Sequence, residues 1–219
     1  MGKTNELHRI QQSFRSVLEA MSRPGKVTGI QNPPDDRYEQ MRVSASLGTL
    51  IDMFIDQSVR FSVFGDDLEF LENAIIRKTN SSADTAESAA FLIGTTNDTK
   101  ALKTAFEKAS GGSLDSPHNG ATFLIECNRL FSDEEKALEG KAENDALYWI
   151  SVEGPGIEER HVFGVSDHEW IWSREKRQDE YPCGVEIILT DCNGRVVAIP
   201  RSSFVSLLVK EGDEQSWVM

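Results

Sequence analysis

Near the start of the chain, Leu7, Ile10, Phe14, Val17, Leu18 and Met21 recur at helical spacing and form one apolar stripe. The run stops at Ser22-Arg23-Pro24-Gly25, where proline cannot continue a helix and glycine permits the turn. Arg9, Arg15 and Arg23 lie off the stripe, which predicts that they face solvent or a partner. Beyond a polar loop, QNPPDDRYEQ, the segment SLGTLIDMFID places Leu47, Leu50, Ile51, Phe54 and Ile55 on one side of a second helix. The period then changes to alternation over Val59–Phe64, a predicted strand ending at Gly65. Asp66-Asp67 opens a third predicted helix through Leu68, Leu71, Ile75 and Ile76, its acids lying where a helix N-terminus favours them. AAFLIG reads as a buried strand and Thr99–Ala109 as a helix broken by Gly111-Gly112 and Pro117. ATFLIECNRL (121–130) reads as the next strand.

The acidic run SDEEKALEGKAENDA, with six acids against two lysines, reads as a solvated loop or short surface helix. ALYWISVEGPGI is a strand entering a glycine-proline turn, and Asp167–Arg177 a helix carrying Trp170 and Trp172. YPCGVEIILTDCNGRVVAIPRSS (181–203) follows, with two apolar runs around Asn193-Gly194. That pair supplies the positive φ angles of a tight hairpin turn, and the nearly continuous apolarity predicts a central hairpin covered on both faces. Helices and strands interleave without a low-complexity linker or an internal repeat. The pattern predicts a single α/β domain over residues 1–219, with a mixed β-sheet flanked by helices.

Composition narrows the function classes. A net charge of −13 argues against nucleic acid as a partner, because phosphate binding needs an excess of Lys and Arg on one face. The N-terminus has no apolar core of signal-peptide length, and no stretch approaches the roughly 20 apolar residues of a membrane span. Three cysteines (Cys127, Cys183, Cys192) cannot all pair internally and form no CxxC, which favours reduced thiols. The expectation is a soluble, cytoplasmic protein with no membrane partner.

Candidate chemistry is sparse. Cys183 and Cys192 are separated by eight residues, which fits no zinc knuckle, and their plainest roles are a buried thiol and a turn thiol. His8, His118, His161 and His168 show no HxxxH or HxH spacing, so no metal site is expected. No GxSxG nucleophile elbow occurs, and no catalytic residue is assigned. Arg201 follows the strand-ending Pro200 and precedes the hydroxyls of Ser202 and Ser203. A guanidinium held there suits bidentate recognition of phosphate or carboxylate, and equally a salt bridge within an acidic protein. Gly154-Pro155-Gly156-Ile157 is either a close-approach anion nest or a simple tight turn.

Three segments together resemble a known family. QQSFRSVLEAMSRPG (11–25), VEGPGIEER (152–160) and YPCGVEIILTDCNGRVVAIPRSS resemble signatures of PhnH, the H subunit of the bacterial phosphonate carbon–phosphorus lyase system. Order and spacing fit over about residues 8–206. Glu186 stands where that family usually has Asp, and Cys183 where an apolar residue is common, which counts against an essential thiol. The acidic stretch at about 132–145 looks like an insertion, and residues from about 207 to 219 like a C-terminal extension.

The resemblance implies a fold similar to the large domain of pyridoxal-phosphate-dependent transferases, used without that cofactor. It implies a homodimer, assembly with the G, I and J subunits, and an accessory role in making an alkylphosphonate ribose triphosphate from ATP and alkylphosphonate. The competing expectation is a stand-alone enzyme of vestigial transferase type that binds a nucleotide or phosphonate. Candidate ligand- or partner-binding residues are Arg15, Gly154, Pro155, Gly156, Ile157, Arg201 and Ser202.

Overall fold

Strands that are apolar at successive positions need cover on both faces of their sheet, and the chain supplies it from two sets of elements. The computed structural model describes residues 3–31, 38, 41–66, 68–133 and 148–208. Its centre is parallel: β2 (Arg60–Phe64), β4 (Phe91–Thr95), β7 (Thr122–Glu126) and β11 (Glu186–Thr190) are neighbours in that order. β3 (Ser82–Ala83) adds in parallel beside β2. On the other flank, β12 (Arg195–Ile199) and then β1 (Thr28–Gly29) add antiparallel, making a mixed sheet of seven strands.

One face carries α1 (Lys3–Ser22), α2 (Ala45–Phe54) and α3 (Leu68–Thr79), packed on Phe61, Ile93, Leu124, Ile188, Val196 and Ala198. Alternate residues of the same strands, including Leu92, Phe123, Ile187, Leu189, Val197 and Ile199, point to the other face. There they meet α4 (Thr99–Lys108), α5 (Glu169–Glu175) and a second, antiparallel sheet. That sheet comprises β8 (Leu130–Ser132), β9 (Tyr148–Glu153), β10 (His161–Val165) and β13 (Phe204–Leu208), in the order β13-β9-β10-β8. A small hairpin of β5 (Gly111–Ser113) and β6 (Ser116–Gly120) precedes β7. The molecule is a single mixed α/β domain with five helices among its described residues.

Several local expectations change. The apolar run 121–130 is two strands in two sheets: β7 ends at Glu126 and β8 begins at Leu130. Asp191 drives that break, since its buried carboxylate accepts a bond from the Leu130 amide (3.1 Å) at the start of β8. The glycines after α4 build β5 and β6 rather than an open break. The β11–β12 turn has positive φ at Gly194 alone, not at Asn193. Gly194 N–H donates to Asp191 C=O, and Asp191 Oδ1 accepts from the Asn193 and Arg195 amides. The result is an Asp-anchored turn closed by a left-handed glycine.

Helix α1 is also rotated from its predicted orientation. Its buried face is Arg9, Ser13, Val17 and Ala20, while Leu7, Phe14 and Leu18 are exposed. Ser13 and Ala20 are small enough for close approach to β12 and to the returning chain, where Gln31 N–H donates to Ser13 Oγ (3.0 Å). Arg9 therefore faces inward and not toward solvent, donating to Gln31 C=O (2.9 Å) and Thr49 Oγ1 (3.1 Å). Asp67, residues 134–147 of the acidic run and the tail 209–219 lie outside the described residues.

Candidate functional site

The three segments singled out in the sequence, 11–25, 152–160 and 181–203, meet in space around the end of β12. The turn after α1 docks first: Gly25 N–H donates to Ala198 C=O (3.2 Å), and His161 Nδ1 lies 2.7 Å from Pro24 C=O. The Gly154–Ile157 segment is a closed turn in which Ile157 N–H donates to Gly154 C=O (3.2 Å). It sits between the other two segments, because a Cβ on Gly156 would approach Ser22 C=O to 2.9 Å and one on Gly154 would approach Ser203 Cα to 3.2 Å. Gly154, Pro155, Gly156 and Ile157 thus form a spacer between the end of α1 and the Pro200–Ser203 turn.

Arg201 lies where the hairpin register puts it. Ile187 pairs with Ile199, so Glu186 and Arg201 flank the open end of the ladder. Arg201 Nε (3.0 Å) and Nη2 (2.9 Å) both reach Glu186 Oε1, and Nη1 donates to Pro117 C=O. The guanidinium joins β11, β12 and the β5–β6 hairpin. Ser202 is half-buried beside Gly154. Arg15 is exposed on α1 and is not among the residues lining the cavity described next.

A cavity of about 220 Å³ opens beside Arg201, lined by residues that include Arg174, Glu175, Cys183, Val185, Ser203 and Phe204. Sequence reading missed its organiser, Arg174, which looks like an ordinary cation in the last turn of α5. Its Nη2 donates to the carbonyls of Ser203 (2.7 Å), Arg201 (3.3 Å) and Pro200 (3.4 Å), stapling the Pro200–Ser203 turn to α5. Burial pulls the Arg174 guanidinium below its usual pKa, and neighbouring Glu175 opposes that shift. Ser203 is buried, and its Oγ has no hydrogen-bond partner among the described residues. Cys183 is half-buried in the lining rather than enclosed in a core, whereas Cys192 is exposed in the hairpin turn. Gly184 has φ +140°, and a Cβ there would press on Arg201 Cβ at 3.1 Å, so glycine is required where this segment passes β12.

A second titratable group lies at the C-terminal end of the parallel strands. Glu126 ends β7 and accepts a bond from the Ser44 amide (3.1 Å) that precedes α2. Burial raises its carboxyl pKa, with the Asp191 charge adding to the rise. Cys127 beside it is buried, and burial pushes its thiol well above the usual range, leaving it unreactive. Among the described residues no cluster of His, Cys, Asp and Glu suits a metal ion, and no helix is long and apolar enough to cross a membrane.

No curated protein matches the chain in a sequence comparison. The family model described as bacterial phosphonate metabolism protein (PhnH) matches residues 1–206, a span that holds every segment converging on the end of β12. The chain belongs to the PhnH family of bacterial phosphonate metabolism proteins.

Proposed function

We propose that this chain is an accessory, structural subunit of the carbon–phosphorus lyase core complex, cytoplasmic and dimeric, assembling with the G, I and J subunits. Membership in the family implies a part in phosphonate metabolism. In this reading, the chain supports G and I while an alkylphosphonate oxygen attacks the ribose C1′ of ATP. The C1′–N bond breaks, adenine leaves, and ribose-1-alkylphosphonate 5-triphosphate forms for later processing by J. The seven-stranded sheet is the counterpart of the large domain of pyridoxal-phosphate-dependent transferases, used without the cofactor.

The observation that carries the reading is the outer face of α1. Leu7, Phe14 and Leu18 keep 59%, 44% and 51% of their surface exposed on one helical stripe, an unusual concentration of large apolar groups in an acidic chain. Such a stripe suits a second copy or a partner subunit, and Arg15 beside it is placed to meet an acidic group there. Co-expression of the tagged chain with G, I and J, followed by affinity capture, is expected to recover all four. A folded chain that never associates sinks the proposal. Light scattering is expected to show a dimer that Phe14→Asp converts to a monomer.

The alternative, a stand-alone enzyme that takes a nucleotide or phosphonate, finds its ligand space in the Arg174 cavity. Arg201, its intended anion grip, already directs its donors to Glu186 and Pro117. Calorimetric titration of the isolated chain with ATP and with methylphosphonate separates the two: micromolar binding abolished by Arg201→Ala, with the fold retained, favours the enzyme.

A further inference from the structure

β13 forms one margin of the second sheet. Its inner side pairs with β9 from Phe204↔Glu153 to Leu208↔Trp149, and among the described residues no strand pairs with its outer side. An open edge presents a row of backbone N–H and C=O groups that an extended peptide can continue. Evolution ordinarily blunts such an edge, yet here it begins with Phe204, 76% exposed, and Tyr181 nearby in sequence to the cavity lining is 77% exposed.

The edge and the cavity are continuous, because Phe204 and Val205 of β13 line the same space as Arg174, Cys183 and Val185. At about 220 Å³ that space falls below the roughly 300–1,000 Å³ typical of small-molecule sites, and matches a protruding side chain better than a nucleotide. Its wall offers buried Val185 and the unpartnered Ser203 hydroxyl.

Charge selects the occupant. The cavity's cations are held in ion pairs: the Arg174 side chain, 11% exposed, lies 3.2 Å from Glu175 Oε1 besides donating to three carbonyls, and Arg201 is paired with Glu186. Outside those pairs stands Glu153, opposite Phe204 and exposed on β9. A strand arriving at this edge meets negative charge, as it would over much of a chain of net charge −13.

We propose that β13 and the Arg174 cavity form a docking site for an extended, Lys/Arg-bearing segment of a partner subunit, added as a further strand with one side chain seated in the cavity. The inference rests on the accessory-subunit reading and gives it a surface distinct from α1. The test places a benzophenone amino acid at position 204 of the full chain, co-produced with the G, I and J subunits, and maps the photo-cross-link by mass spectrometry. A single cross-linked segment, basic and from a partner subunit, is expected. Phe204→Asp should lower recovery of the complex about tenfold or more, as loss of an interface anchor does, without changing the Tm of the isolated chain. Cross-links to a second copy of this chain or to its own tail overturn the inference, as does full assembly of Phe204→Asp. Those outcomes leave the accessory reading standing; failure of the unmodified chain to assemble removes both.

Discussion

Ile188 and Leu189 of the β11–β12 hairpin have almost no exposed surface, whereas Leu7 and Leu18 of α1 keep 59% and 51% of theirs. Both segments are apolar at a regular period, and both lie within the span that the family model matches. The hairpin is enclosed by elements of its own chain, α1 and α2 on one side and the second sheet on the other. The helix turns its polar Arg9 and Ser13 inward beside Val17 and leaves Leu7, Phe14 and Leu18 outside. Periodicity identifies an element's apolar side; what covers that side depends on which neighbour needs the closer approach. In α1 the small residues win the inner position, because β12 and the returning chain must pass near the helix.

The sharpest way to break this contrast is at the hairpin. Ile188→Ala removes a branched side chain that is 2% exposed between α1, α2 and the sheet. It is expected to cost about 2–5 kcal/mol, read from denaturant unfolding. The Arg174 staple comes next. Arg174→Ala leaves the carbonyls of Pro200, Arg201 and Ser203 without their shared donor and should cost about 1–3 kcal/mol. Arg174→Lys should recover part of that loss. Arg201→Ala should cost less than Arg174→Ala, because Glu186 keeps some access to solvent. The reverse order would make the hairpin's own ion pair, not the helix, the organiser of the Pro200–Ser203 turn.

Legibility followed the range of the forces involved. The hairpin could be read because its alternation, turn residues and strand-ending proline are all local. The same register implied that Glu186 and Arg201 would flank one end, so the salt-bridge reading of Arg201 was within reach of the sequence. Arg174 was not, since its three carbonyl acceptors lie 26 to 29 residues away and its pairing with the adjacent Glu175 does not separate it from a routine helix-end cation. β10 was missed because HVFGV is short and interrupted by glycine, and β13 because FVSLL follows a proline turn and gains its partner only from β9. The separation of β8 from β7 depends on Asp191, a residue far along the chain whose carboxylate reaches back to Leu130.

Glu126 offers a smaller and pH-dependent effect at the sheet's other end. Burial raises its folded-state pKa above the usual 4.5, so the folded chain holds that proton more tightly than the unfolded one. Stability from this group is therefore greatest below the ordinary carboxyl pKa and falls as pH rises through the folded value. Glu126→Gln keeps an acceptor for the Ser44 amide and removes the buried charge. It is expected to raise Tm at neutral pH, with the gain shrinking toward zero on acidification below the ordinary value. A gain independent of pH would assign the effect to packing.

The smallest expected change in the isolated chain carries the most information about the comparison. Leu18→Ser removes an apolar group that is half exposed, so little buried surface is lost on folding. Unfolding stability should move by no more than about 0.5 kcal/mol, as for surface positions generally. The consequence should appear on association, where the same substitution removes apolar area from the stripe formed with Leu7 and Phe14. Sedimentation of Leu18→Ser is expected to show weakened self-association or reduced capture by the partner subunits, with Ile188→Ala showing the opposite profile: loss of stability, but normal association of whatever remains folded. A Leu18→Ser chain that loses several kcal/mol as a monomer would mean that the outer face of α1 is covered by its own chain after all. The contrast between the hairpin and the helix would then be one of degree.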